Sequence, residues 1–443
     1  MKLQKISTQV SPFSGINFIN EEYSKCGFTQ LLDKQLGMRC KPNGFSYSDI
    51  IQNLMNVFFC GGDCAEDIQS HLSKDLKSIP GNFVPSADTL LRGIKELSTE
   101  NTSYESVSNN KYDFNINKNL NDLNIKTLLL TNQLEKGLFY DFDYDNQIIP
   151  TEKYDTKKTY KMINGYFPGV ATIGNKIVYI ENRDGNANVK FEQASTLSRA
   201  YNILNDNNIY INRSRMDAGS YSKETIEVVA NNSKLFYIRA NKSTEIYRQI
   251  LAIDKWTEVE INYQKYEVAS IPFEQFFKEK NYRLVVMREK GASAQIDLFT
   301  GDTFMYRTIL TNDWQSTEIE VIGYYNQRGA SEKVFDVMNN DFGWNHLPCS
   351  FMNENTSYMI IMAMAKNFYH YFIEKVALVF ENIESTSRLK RLIFRFINVS
   401  GKWIYTGRQW VLKLFTDQPY ELLNRKKQIK NKVKTTDYGL IMC

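Results

Sequence analysis

The chain has 443 residues, long enough for about three domains, each burying its own core. Its 42% apolar and 23% charged residues are ordinary globular fractions, which excludes wholesale disorder. A net charge of +4 is too small by itself to imply a nucleic-acid partner, although the C-terminal end is much more basic than the rest.

The opening "MKLQKISTQV" lacks the apolar run of a signal peptide, and no segment reads as a membrane span. The six cysteines, Cys26, Cys40, Cys60, Cys64, Cys349 and Cys443, form no paired C-x-x-C pattern. With only three histidines, a zinc knuckle is poorly supported, and Cys60 and Cys64 read as small buried residues. A reduced, cytoplasmic chain is the expectation.

In chain order, the first hundred or so residues read as short helices. "GGDCAEDIQSHLSKDL" sets Asp63 and Glu66 at capping-box spacing, and "VPSADTLLRGIKEL" offers Ser86 as an N-cap with Asp88 in the first turn. Such a set suits either DNA binding or a helical scaffold. Residues 99–123, rich in Asn and Ser, read as a linker. "GLFYDFDYD" then reads as a strand, and "YFPGVATIGNKIVYIENRDG" as two strands joined by a Gly-Asn turn. A helix at "NVKFEQASTLSRAYNILNDN", a strand at "NIYINRSRMD", a helix capped by Ser222 and the strand "KLFYIRAN" complete a β-β-β-α-β-α-β order. This predicts an α/β fold with a mixed sheet flanked by helices. Residues 240–313 are strand-rich and are expected to pack beside that sheet as an insertion. Helices resume with "STEIEVIGYYNQRGASEKVFDVMNNDF" and an apolar core helix over 357–380. The last sixty or so residues are basic with interleaved aromatics.

Strand period two places Asp141, Asp143 and Asp145 on one face. A polar strand end meeting solvent would account for them, and so would a divalent-metal site that neutralises their repulsion. Asp217 in "RSRMDAGSY" lies where a strand ends and a helix follows, the usual ligand position of open α/β sheets, although Asp before a small turn residue is also ordinary turn chemistry. On an unbroken helix, Tyr325, Arg328, Glu332, Phe335 and Asn339 share about a quarter of the circumference, with Ala330, Val334 and Met338 opposite. That stripe is either a solvated i,i+4 pair or a working surface.

A strand Asp, then "RMDAG", then Tyr325-x2-Arg328-x3-Glu332 after a long gap resembles the DDE transposases of bacterial insertion sequences. Within them, it looks like the cut-and-paste group marked by a Tyr-Arg-Glu-Lys helix signature. "GGDCAEDIQSHLSKDL…PSADTLLR" and "YRTILTND…YYNQRGASE" extend the resemblance over most of the chain. It implies a ribonuclease H-like sheet with a β-rich insertion before the Glu-bearing helix. The implied layout is a helical, DNA-binding part with linker (1–123), a core (124–239), the insertion (240–313), the second part of the core (314–380) and a basic C-terminal region (381–443).

The implied catalytic and metal carboxylates are Asp143, Asp217 and Glu332, with Asp141 in reserve. The family commonly shows Asp-x-Thr at the first position, where this chain has Asp143-Tyr144-Asp145. Two Mg²⁺ ions, or Mn²⁺ in their place, would activate the nucleophile and stabilise the leaving 3′ oxygen. Tyr325 and Arg328 would contact phosphates near the cleaved end. The signature Lys is replaced by Asn339, so its contact is missing or moves to Lys333. Trp256 would stack on a flipped base. Lys390, Arg391, Arg395, Lys402 and Arg408, with Arg425, Lys426, Lys427 and Lys430, would grip phosphates. The implied partners are double-stranded DNA, as terminal inverted repeats and target, and a second copy in a synaptic homodimer. The implied activity is excision and reinsertion by hydrolysis and strand transfer. The rivals are a nuclease without strand transfer and a domesticated DNA-binding protein without catalysis.

Overall fold

The computed structural model describes the chain except residues 5–8, 40–43, 242, 274, 276, 278, 291–302 and 425–443 and the side chains of 330, 331 and 424. Arg425, Lys426, Lys427 and Lys430 therefore lie outside the described residues. At its centre are five strands in the order Lys176–Arg183, Gly169–Ile173, Phe139–Asn146, Tyr210–Met216 and Ser233–Arg239. The first three run antiparallel to one another, while Tyr210–Met216 is parallel to both strands beside it. Parallel neighbours need crossovers, and helices Gln193–Asp206 and Lys223–Asn232 supply them. Ser222 caps the second, accepting from Thr225 N–H at 3.2 Å.

Alternation along Phe139–Asn146 sorts its two faces. Phe142 and Tyr144 are buried in one core with Leu197, Tyr201 and Ile226 of the crossover helices, so Asp141, Asp143 and Asp145 point the other way. On that other side a smaller cluster joins Tyr237, Val285 and Ile309 to Val321 and Ile322 of helix Glu318–Asn326. The acids therefore look toward this helix.

Two expectations change. The stretch read as a linker forms a hairpin, Asn101–Glu105 with Lys111–Asn115, which joins the sheet through Phe114↔Arg183, and then helix Lys118–Leu130. Ser106, Ser108 and Asn110 form the turn, while Tyr104 packs on Phe114, and Tyr112 and Phe114 pack on Phe191. The strand-rich insertion does not lie beside the sheet but extends it. Phe304–Thr311 pairs with Ser233–Arg239 through Tyr237↔Thr311, and three more antiparallel strands follow, giving eleven in all. Without them Ser233–Arg239 would be an edge with a row of unpaired backbone groups.

The N-terminal helices share one core with the long helix Met352–Ala377 and with residues near 389–399. Ser46 and Asp49 form a capping box on Tyr47–Phe59, and Ser86 caps Ala87–Glu96. At "GGDCAED" the carboxylate that accepts from Asp63 and Cys64 N–H is Asp67, not Glu66. Among the described residues no helix is long and apolar enough to cross a membrane.

Candidate active site

The acidic strand and its parallel neighbour carry matching period-two patterns, Asp141-x-Asp143-x-Asp145 against Arg213-x-Arg215-x-Asp217. The register pairs Asp141 with Arg213 and Asp143 with Arg215. Both become forked ion pairs. Arg213 Nε donates to Asp141 at 2.9 Å, and Arg215 Nε and Nη2 donate to the two Asp143 oxygens at 2.7 Å each. One step further, past Tyr144↔Met216, the arginines run out and Asp145 comes beside Asp217. Like charge then faces like at the carboxyl ends of two parallel strands.

The compensating cation comes from another element. Arg328 Nη2 lies 2.8 Å from Asp145 Oδ2. Burial raises the Asp145 pKa to about 6, Arg328 opposes that rise, and Asp217 adds to it. Burial alone would lower the Arg328 guanidinium, but Asp145 and Asp217 hold it above its usual value. Asp217 also accepts from Gly219 N–H at 3.0 Å, which fixes the turn that follows its strand.

Helix Glu318–Asn326 is seated by two tyrosines. Tyr325 Oη donates to the Met216 carbonyl at 3.2 Å, next to Asp217, and burial pushes its phenol up to about 12. Tyr324, which the sequence reading passed over, lies under the guanidinium groups of Arg213 and Arg215 at 4.0 and 4.5 Å, and its carbonyl accepts from Arg215 at 2.8 Å. It lies about 100° round the helix from Tyr325, and no pattern in the sequence marked it.

The helix does not continue unbroken. Gln327–Gly329 is a 3-10 turn, after which helix Ala330–Asp341 begins. Each 3-10 residue advances about 120° instead of 100°, so three of them turn the downstream face by about 60°. The expected stripe therefore splits. Tyr325 and Arg328 face the acids, Glu332 and Lys333 are exposed, and Phe335 is buried with Val334 and Met338. Asn339 is half-buried on this second helix, and its Oδ1 has no hydrogen-bond partner.

Of the expected triad, Asp143 is taken up by Arg215, Glu332 stands apart, and only Asp217 has another acid beside it, Asp145. Among the described residues no three His, Cys, Asp or Glu side chains are grouped to hold a metal ion. Asp145 and Asp217 line a cavity of about 420 Å³ with the loop Gly185–Val189. Arg183, 1% exposed, fastens that loop by donating to the carbonyls of Phe167, Phe191 and Val189. No metal ligand or motif pattern marked it in the sequence.

The remaining expected residues lie elsewhere. Trp256 is half-buried, donates to the Ile253 carbonyl at 3.2 Å, and has the Arg288 guanidinium 4.0 Å over its ring. Lys390, Arg391, Arg395 and Arg408 are exposed and Lys402 half-buried, all in the C-terminal region. Arg391 donates to the Asn382 carbonyl, and Arg395 lies over the Phe394 ring.

No curated protein matches the chain. Among solved structures, the cryo-EM structure of a piggyBac transposase synaptic complex with hairpin DNA is similar at 12% identity and a TM-score of 0.41. That likeness covers 86% of this chain and 78% of the other. The profile of the transposase family "DDE domain group 1" matches residues 2–432, nearly the whole length. The chain thus belongs to the group 1 DDE-domain transposases.

Proposed function

We propose that the chain is a cut-and-paste DNA transposase with Asp145 and Asp217 as its first two catalytic acids. Glu332 is the third, reached when helix Ala330–Asp341 turns toward them. The observation that carries this reading is the end of the arginine ladder. Two carboxylates held side by side, with one guanidinium from a different element between them, are electrostatically unfinished. The strand order with its crossover helices supports reading the sheet as ribonuclease H-like, and the pair lies at the carboxyl-end rim, the usual ligand position of open α/β sheets. Asp143 is better suited to holding Arg215 and Tyr324 in place.

The donor set fits Mg²⁺, a hard cation that takes one or two carboxylates and fills its remaining positions with phosphate oxygens and water. Asp145 and Asp217 would hold it, and when bound it would supply charge for an attacking oxygen and for the leaving 3′ oxygen. The chain's own groups do the rest. Arg328 leaves Asp145 and offers its fork to phosphate oxygens of the DNA end. Tyr325 keeps Asp217 in register through the Met216 carbonyl. The loop Gly185–Val189, fixed by Arg183, limits water at the reacting phosphate.

The test uses duplexes cut from the DNA flanking the gene, with a free 3′-OH, incubated with target plasmid and Mg²⁺ or Mn²⁺. Joined products are expected. Cleavage without joining would leave a nuclease, and neither reaction would leave a DNA-binding protein without catalysis.

A further inference from the structure

The C-terminal region contains a two-stranded ribbon, Gly401–Thr406 paired with Gln409–Leu414, that belongs to no other sheet. Its turn, Gly407-Arg408, has φ of 55° and 61°, the left-handed pair of a tight hairpin. Directly opposed residues share a face. One face therefore carries Trp403 against Leu412 and Tyr405 against Trp410, and the other carries Lys402 against Lys413. Trp403 ties the first face to helix Ile16–Lys25, donating to Asn17 Oδ1 at 3.1 Å. The lysine face is turned away from that anchor.

Two features make this ribbon unfinished as it stands. Like charges directly opposite each other on a ribbon are destabilising, and residues 401–415 contain no acid to offset Lys402 and Lys413. Among the described residues neither lysine, nor Arg408 at the turn, forms an ion pair with a carboxylate. Beyond the anchored end, Tyr405 and Trp410 pack edge to face at 5.3 Å and remain 63% and 53% exposed. A hairpin held at its base, with three cations, no anion and two exposed rings near its tip, is complementary to one polyanion of matching shape. The major groove of duplex DNA admits a two-stranded ribbon.

We propose that this hairpin is a DNA-docking ribbon. It enters a groove of double-stranded DNA tip first, so that its two faces meet opposite walls: Tyr405 and Trp410 make apolar contact on one, while Lys402 and Lys413 on the other, with Arg408 at the turn, reach backbone phosphates. The inference rests on the reading of the chain as an enzyme acting on DNA, but it concerns a surface separate from the acid pair.

The experiment is fluorescence anisotropy of the full chain with a short labelled duplex over a series of salt concentrations. Each phosphate contact contributes about 0.9 to the slope of log affinity against log salt. The variant K402Q/K413Q/R408Q is expected to lower that slope by about 2.7, with K402R/K413R close to wild type. Y405S/W410S is expected to weaken binding with the slope unchanged. K413Q alone is expected to raise the melting temperature slightly by relieving the opposed lysines, which also shows that the variants fold. Wild-type binding with an unaltered slope in the triple variant overturns the ribbon alone. Failure of the wild type to bind any duplex overturns both the ribbon and the parent reading. If Y405S/W410S converts a dimer to a monomer in sedimentation while DNA binding is untouched, the hairpin joins two copies and the proposal is overturned.

Discussion

Changing Asp143 to Asn removes one partner of a buried, forked ion pair and leaves Arg215 with its charge uncompensated beneath Tyr324. Breaking such a pair typically costs about 3–5 kcal/mol. Asp143→Asn should therefore lower the melting temperature sharply. Asp145→Asn should lower it much less, because burial already disfavours the Asp145 charge and Asp217 remains to compensate Arg328, yet it should abolish strand joining. A joining assay and a thermal melt on the two variants check this, and the opposite pattern would return the first catalytic position to Asp143. The proposed acid pair was legible in a form that motif spacing does not use. The two period-two patterns, one of acids and one ending "R-x-R-x-D", identify the uncompensated acid once the strands are laid parallel. What could not be read was the register, because it depends on a bulge between Tyr140 and Asp141.

The helical element that should unite Tyr325, Arg328 and Glu332 is divided at Gln327–Gly329. A helical wheel assumes one pitch throughout, so the division was invisible to it. The stripe holds only at one pitch, and the backbone changes pitch in its middle. Gly329 is in the helical region, and a Cβ there would meet nothing within 4 Å. Gly329→Ala should favour continuous α-helix by about 1 kcal/mol and bring Glu332 toward the acids. The expected result is an equal or higher melting temperature and tighter Mn²⁺ binding, read by electron paramagnetic resonance of the free ion. Unchanged Mn²⁺ affinity would remove Glu332 from the metal set. Elements fixed by alternation and caps, such as Phe139–Asn146 and the Ser222-capped helix, were legible because local chemistry decides them. The hairpin at 101–115 was not, because its strands gain their support from Phe191 and Arg183, more than sixty residues away.

Across the whole molecule, the long helix Met352–Ala377 carries a cost that pH can expose. Lys366 is 1% exposed, its ammonium donates to the Asn175 carbonyl, and burial with Lys176 nearby lowers its pKa from 10.5 to about 7. Between those values the unfolded chain binds a proton that the folded chain does not, so stability rises with pH by up to about 1.4 kcal/mol per unit. His370, lowered from 6.5 to about 3 by burial and by Lys366 and Lys176, has the same sign over a more acidic range. Lys366→Met should raise the melting temperature at neutral pH and flatten its rise toward pH 10, a contrast that denaturation across pH measures directly. An eleven-stranded sheet also has two open ends, and here they are Asn101–Glu105 and Thr257–Ile261. The second exposes Glu258 and Glu260, and the first exposes Glu105. Carboxylates on an edge strand repel a like edge arriving to pair with it, so end-to-end polymerisation of the sheet is disfavoured. Copies of this chain that come together must then do so through other surfaces, and a sheet this wide can stay dispersed while it does.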